Sequence, residues 1–322
     1  MKGISEEHIQ LLAEVAQLYY EQNLDQSEIA KRKGVSRSSV SRLLTEARDL
    51  GIIEFRINFP IRRHQALEER FMNFFNLETV YVLDTELIVA NQVLNRLGRL
   101  AAMYVQPLIN DGTIIGVTWG HTVYEITTSM SRGQMENVRI VQVIGASGNE
   151  NSLVDGVALV QNFAERLGAQ HHYLHSPLMV ENPVVRDAIL NDPNVQRTLN
   201  LARSADILIT GIGTIDPEYS APLRAQYVSR EELINISNAG AIGEFCGYHI
   251  NFNGESVDIS QNKRIVGLDL DEIFNLPKVV GVGAGLYKAP TILGALRGGL
   301  ISVLITDDET ANEVIRLAGV GD

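Results

Sequence analysis

Four glycine-bearing turns in this chain each follow an apolar run, and together they supply groups that a small polyhydroxylated ligand needs. They are Gly116-Val-Thr-Trp-Gly-His-Thr, Gly145-Ala-Ser-Gly, Gly211-Ile-Gly and Gly281-Val-Gly-Ala-Gly-Leu-Tyr-Lys. Glycine at a strand end lets backbone N–H groups approach a ligand closely, although tight turns also need glycine for backbone reasons alone. The candidate ligand-binding glycines are Gly116, Gly120, Gly145, Gly211 and Gly213. Thr118 and Thr122 add hydroxyls, Trp119 a flat apolar face on which a sugar ring can lie, and Lys288 a point charge for phosphate or polyol oxygens. Glu244, in Gly240-Ala-Ile-Gly-Glu-Phe-Cys-Gly, reads as a carboxylate in a glycine-flanked loop that can accept hydrogen bonds from sugar hydroxyls.

A second group of residues suits phosphate and base contacts. Between Lys31 and Arg42 stand Lys31, Arg32, Lys33, Arg37 and Arg42, with no Asp or Glu among them. Ser36, Ser38, Ser39, Ser41 and Thr45 intersperse short hydroxyls that let a helix approach DNA closely. The net charge of −12 argues against a surface that coats nucleic acid throughout. One basic element on an acidic chain fits a module that touches DNA at a single face.

Other chemistries lack their residues. The Gly-x-Gly fragments complete neither a dinucleotide fingerprint nor a phosphate loop ending in Gly-Lys-Ser/Thr, so no cofactor is expected. His171, His172 and His175 lie in an expected strand, where neighbours face opposite ways, and have no carboxylate or thiol close in sequence, so no metal is expected. Glu244 and His121 could begin a set for acid–base catalysis but do not complete one. An isomerase- or deaminase-like enzyme with an accessory DNA-binding domain is therefore the alternative reading, and a scaffold using the large domain for oligomerisation a third. Cys246 is the only cysteine, which excludes an internal disulfide. The N-terminal residues lack a signal-peptide apolar core, and no run reaches the roughly 18 apolar residues of a membrane helix. A cytoplasmic protein without membrane contact is expected.

The elements that must position these groups follow from periodicity. Ile9, Leu12, Ala13, Ala16 and Tyr19 recur at helical spacing. Asp25 with Glu28 predicts a capping box opening a second helix that Gly34 ends. Val35 is expected to pack inward. Ser36 should cap a third helix burying Val40, Leu43, Leu44 and Ala47 and exposing Ser38, Ser41, Arg42 and Thr45. This is a helix-turn-helix whose last helix enters a major groove. A strand is expected at Ile52–Phe59, and a domain boundary near residue 58, with a second candidate near 75. Beyond it, apolar runs at 79–83, 114–117, 138–144, 207–210, 279–282 and 300–306 alternate with helical stretches such as 159–167 and 291–296. The fold class is α/β: a mostly parallel sheet covered on both faces, with ligands beyond the strand C-termini. The domains are 1–57 and 58–322.

The run from Leu24 to Arg48, followed by Gly51-Ile-Ile, resembles the helix-turn-helix of the SorC family of sugar-responsive transcriptional regulators. Gly116-Val-Thr-Trp-Gly, Ala205-Asp-Ile-Leu-Ile-Thr-Gly-Ile-Gly and Gly285-Leu-Tyr-Lys-Ala-Pro-Thr-Ile-Leu-Gly-Ala-Leu-Arg-Gly-Gly are similar to the family's effector-domain blocks. The resemblance implies a sugar-binding domain related to sugar-phosphate isomerase and deaminase folds, homodimers or homotetramers on double-stranded operator DNA, and a sugar, polyol or sugar-phosphate effector. It implies that Gly116, Thr118, Trp119, Gly120, Gly211, Gly213, Glu244 and Lys288 line the effector pocket. Relatives often carry Asp where Glu244 stands. Ile144 before Gly145 leaves no lysine there to form an imine, so noncovalent binding is expected.

Overall fold

The computed structural model describes residues 5–53, 60–148 and 152–319. Its contacts divide into two units, Met1–Pro60 and Ile61–Asp322.

The first unit holds α1 (Glu6–Tyr20), α2 (Gln26–Lys33) and α3 (Arg37–Asp49). Its core joins Val15 and Leu18 of α1, Ile29 and Ala30 of α2, and Val40 and Leu44 of α3. Sequence sets each boundary. Asp25 accepts from the N–H groups of Ser27 and Glu28 at 2.7 and 2.9 Å, while Glu28 accepts from Asp25 N–H, so three orphan donors around the start of α2 are satisfied. Gly34 ends α2 in the left-handed region, at φ 68°, which costs glycine nothing. Ser36 accepts from Ser39 N–H to start α3. Two expectations fail here. Val35 is 40% exposed rather than inward, because it lies in the turn between Gly34 and Ser36 while Ile29 and Val40 fill the core on either side. Ala13 is exposed, and the buried face of α1 runs instead through Leu12, Val15, Ala16 and Leu18. The expected Ile52–Phe59 strand and the boundary near 58 fall mostly on residues 54–59, outside the described residues.

In the second unit the order is α4 (Gln65–Phe74), β1 (Thr79–Leu83), α5 (Val93–Val105), β2 (Ile114–Val117), α6 (His121–Ser129), β3 (Arg139–Gln142), α7 (Gly156–Leu167), β4 (Gln170–His172), α8 (Pro183–Leu190), α9 (Pro193–Arg203) and β5 (Ile207–Gly211). There follow α10 (Ala221–Arg224), α11 (Arg230–Asn238), β6 (Gly243–Phe245), β7 (Tyr248–Ile250), α12 (Leu270–Phe274), β8 (Val279–Val282), α13 (Ala289–Arg297), β9 (Val303–Asp307) and α14 (Asp308–Ala318). Seven strands form one sheet in the order β1-β9-β8-β5-β2-β3-β4, every neighbouring pair parallel. Four inner strands, β2, β5, β8 and β9, are buried along almost their whole length, and their Ile, Val and Leu residues match a sheet covered on both faces. From β2 the chain winds outward through β3 and β4, then returns to lay β5 on the other side of β2. That reversal makes the β2/β5 junction a topological switch point, where open α/β sheets bind ligands. The separate β6–β7 hairpin was not anticipated from sequence; it reverses through Cys246 and Gly247, both at positive φ.

Among the described residues no helix is long and apolar enough to cross a membrane, and no group of three or more His, Cys, Asp or Glu could hold a metal ion. His171 and His172 do lie in β4, but His175 is past its end.

Candidate functional site

A cleft of about 790 Å³ opens beyond the C-terminal ends of β1, β2, β5, β8 and β9. Thr118, Trp119, Gly120 and Thr122 line it after β2, Gly211 and Gly213 at the end of β5, Glu244 from β6, and Lys288 just ahead of α13. Two expected glycines do not line it. Gly116, inside β2, faces Val143, whose Cγ1 would stand 2.8 Å from an added Cβ. Gly145 donates to the Val266 carbonyl at 2.8 Å and lies against the backbone of Pro177, where a side chain would overlap. Both serve close packing.

Gly120 precedes α6 without any side-chain cap, which leaves first-turn N–H groups of this nine-residue helix without intrahelical partners beside the cleft. The Thr118 and Thr210 hydroxyls bond to each other at 3.1 Å, and Thr210 reaches Cys246 Sγ at 3.4 Å. Burial pushes the Cys246 thiol up to about 12, so it stays protonated and unreactive. Trp119 is buried, and its indole N–H has no protein partner.

Glu244 is not in a loop, as expected, but in the first strand of the β6–β7 hairpin and only 8% exposed. Its Oε1 accepts from Gly247 N–H at 2.5 Å, and its backbone carbonyl accepts from Gly213 N–H at 2.8 Å. The carboxylate lies so close to Gly213 that a Cβ there would overlap Oε2. Burial raises the Glu244 pKa, opposed by Gly247 N–H and by Lys288. Lys288 is driven down to about 8, chiefly by burial and further by Arg224, against the pull of Glu244 and Asp307. The His121 pKa is lowered by burial first and then by Arg224, with Lys288 acting the same way and Glu125 opposing. Asp307 is committed elsewhere: it accepts from Thr310 N–H and hydroxyl at 2.7 and 2.8 Å and from Gly285 N–H at 3.1 Å. At the cleft wall the rings of Tyr219 and Tyr287 stack in parallel, 3.8 Å apart. Arg224, Tyr219, Tyr287 and Asp307 were missed from sequence. Arg224 follows a Ser220-Ala-Pro start signal for a four-residue helix, a cue to structure but not to ligand contact.

On α3, Arg37, Ser38, Ser41, Arg42 and Thr45 are exposed, as are Lys31 and Arg32 of α2 and Ser36 at the cap; Ser39 is half-buried, its N–H and hydroxyl turned to Ser36. Lys33 instead pairs with Glu14 of α1, which leaves it less free for DNA.

Residues 60–316 match the Sugar-bind family of sugar-binding domains, and residues 12–49 match region 4 of sigma-70. The sorbitol operon regulator of Klebsiella pneumoniae is 30% identical over 310 residues, covering 96% of this chain and 98% of that one. Its full-length crystal structure superposes with a TM-score of 0.75 at 29% identity, covering 97% of this chain and all of the other. The chain belongs to the SorC family of transcriptional regulators. The transcriptional regulator LsrR of an Enterobacter species is also similar, 32% identical over 98% of this chain and 96% of its own length. As a SorC-family member the chain is a DNA-binding, sugar-responsive regulator and not an enzyme: a helix-turn-helix is followed by a sugar-binding domain on a parallel α/β sheet.

Proposed function

We propose that a sugar phosphate binds noncovalently in the cleft and thereby changes the affinity of the helix-turn-helix for double-stranded operator DNA. The observation that carries this reading is the concentration of positive groups. Arg224 disfavours the protonated forms of Lys288 and His121, Lys288 disfavours that of His121, and the α6 N-terminus adds N–H donors without a side-chain cap. A bound phosphate would relieve that repulsion. Glu244, a buried acceptor, would take sugar hydroxyls, and the unpartnered Trp119 N–H a further oxygen. A free sugar or polyol would use Glu244, Thr118 and Trp119 but leave the cationic groups unmatched. Lys31, Arg32, Arg37, Arg42 and the serines around them would meet DNA, in a domain spanning 1–57, with 58–322 as effector and oligomerisation domain.

A ligand can shift such an equilibrium only through different affinities for the DNA-competent and incompetent states. Homodimers or homotetramers in the cytoplasm would present paired helices to two half-sites. Thermal-shift measurements with sugars and with their phosphates test the ligand class: selective stabilisation by a phosphate ester supports it, and equal stabilisation by the unphosphorylated sugar contradicts it.

A further inference from the structure

The basic residues of the helix-turn-helix differ in what surrounds them. Lys33 is paired with Glu14, and Arg48 lies 3.6 Å from Asp49. Arg37, the first residue of α3, sits in the field of Asp25. Arg42 is exposed and has no carboxylate partner among the described residues. Its freedom calls for a cause, because Glu46 stands four residues on, the spacing at which a carboxylate and a guanidinium on one helix normally meet. Glu46 is held elsewhere: its Oε1 is 2.9 Å from Nε2 of His8 on α1.

The neighbours of Arg42 narrow what it can read. The outward face of α3 carries Arg, Ser and Thr as far as Thr45 and Asp49 in its last turn, with no Asn or Gln to form the bidentate pair with adenine. Thr45 has its hydroxyl bonded to the Ser41 carbonyl at 3.1 Å, and the hydroxyls of Ser38 and Ser39 lie 2.8 Å from that of Ser36. Arg42 is thus the long, unpaired side chain of this face beyond the first turn, and a guanidinium fork matches the O6 and N7 acceptors of guanine.

We propose that Arg42 reads a guanine in each operator half-site, and that His8 is a positioning residue which keeps Arg42 free by holding Glu46. The inference rests on the operator-binding reading above. Preferred duplexes are selected from a random pool by the full-length protein, and binding is then measured with every guanine replaced in turn. One guanine per half-site should matter to the wild type by roughly 10- to 100-fold, and Arg42→Ala should be indifferent to the base at that position alone. Arg37→Ala should weaken all sequences uniformly and reduce the salt dependence. His8→Ala should weaken the selected site about two- to fivefold, the scale of an exposed ion pair formed between Glu46 and Arg42. The double variant His8→Ala with Glu46→Gln, which cannot form that pair, should regain wild-type binding, and Glu46→Gln alone should keep it. Arg42→Ala retaining the full base preference, or a double variant as weak as His8→Ala, overturns the inference. Selection of no sequence at all overturns the operator-binding reading as well, an outcome distinct from selection of a site indifferent to Arg42.

Discussion

Glu244 and Lys288 both line the cleft, a buried carboxyl and a half-buried ammonium whose proton affinities have moved toward each other. Burial raises Glu244 and lowers Lys288 to about 8, while each favours the other's charged form. In water the two pKa values lie some six units apart. A bound anion beside Lys288 would favour its charged form.

Lys288→Ala should abolish the effector response while leaving operator binding intact. Loss of a hydrogen bond to a charged group costs about 1.5–3 kcal/mol, or roughly 10- to 100-fold in effector affinity. Titration calorimetry with the stabilising sugar phosphate, beside a gel shift without it, reads both effects. An unchanged response removes Lys288 from the pocket.

The pH dependence has a definite sign. Lys288 titrates near 8 in the folded protein and near its ordinary, higher value when unfolded. Its protonation is therefore disfavoured by folding, so unliganded stability should rise as pH increases from about 8 toward 10.5. Anion binding needs the charged form and should weaken over the same rise through 8. Parallel melting curves with and without ligand should converge as pH rises, and Lys288→Met should remove the Lys288 contribution to both trends.

Gly213→Ala should disable the cleft without touching a ligand-binding side chain. An added Cβ would overlap the Glu244 carboxylate, forcing Glu244 out of place. Overpacking of this kind costs about 1–3 kcal/mol. The expected result is a lowered melting temperature together with loss of effector response. A normal response would show that the Glu244 position is immaterial.

Val35→Ser should be nearly silent. The side chain is exposed in the turn between α2 and α3, and substitutions at such positions usually stay within about 0.5 kcal/mol. A large drop in thermal stability would mean that Val35 is covered in solution.

The strand ends and helix caps were legible in the sequence because each has a local physical cause. Asp25 with Glu28 forms the capping box, Gly34 adopts the left-handed turn, and the β-branched runs become buried parallel strands. Eight of the ten expected effector-site residues line one cleft, since the sheet gathers the ends of β2, β5 and β8 at one edge. What the sequence concealed depends on distant packing. Gly116 and Gly145 look like ligand-binding glycines, yet Val143 and Pro177 explain them. Arg224 is brought to the cleft by a short helix with no strand-end signature, and Glu244 is buried by a hairpin that only Cys246 and Gly247 announce. Val35 was misplaced because the helices close their core without it.

One ligand in the cleft should set DNA affinity. Fluorescence anisotropy of a selected operator duplex, titrated with the full-length protein with and without the stabilising sugar phosphate, tests it most directly. Operator Kd should shift by roughly 5- to 150-fold, the usual range of allosteric coupling, with no shift in Lys288→Ala. A ligand that stabilises the protein while leaving operator Kd unchanged would contradict it.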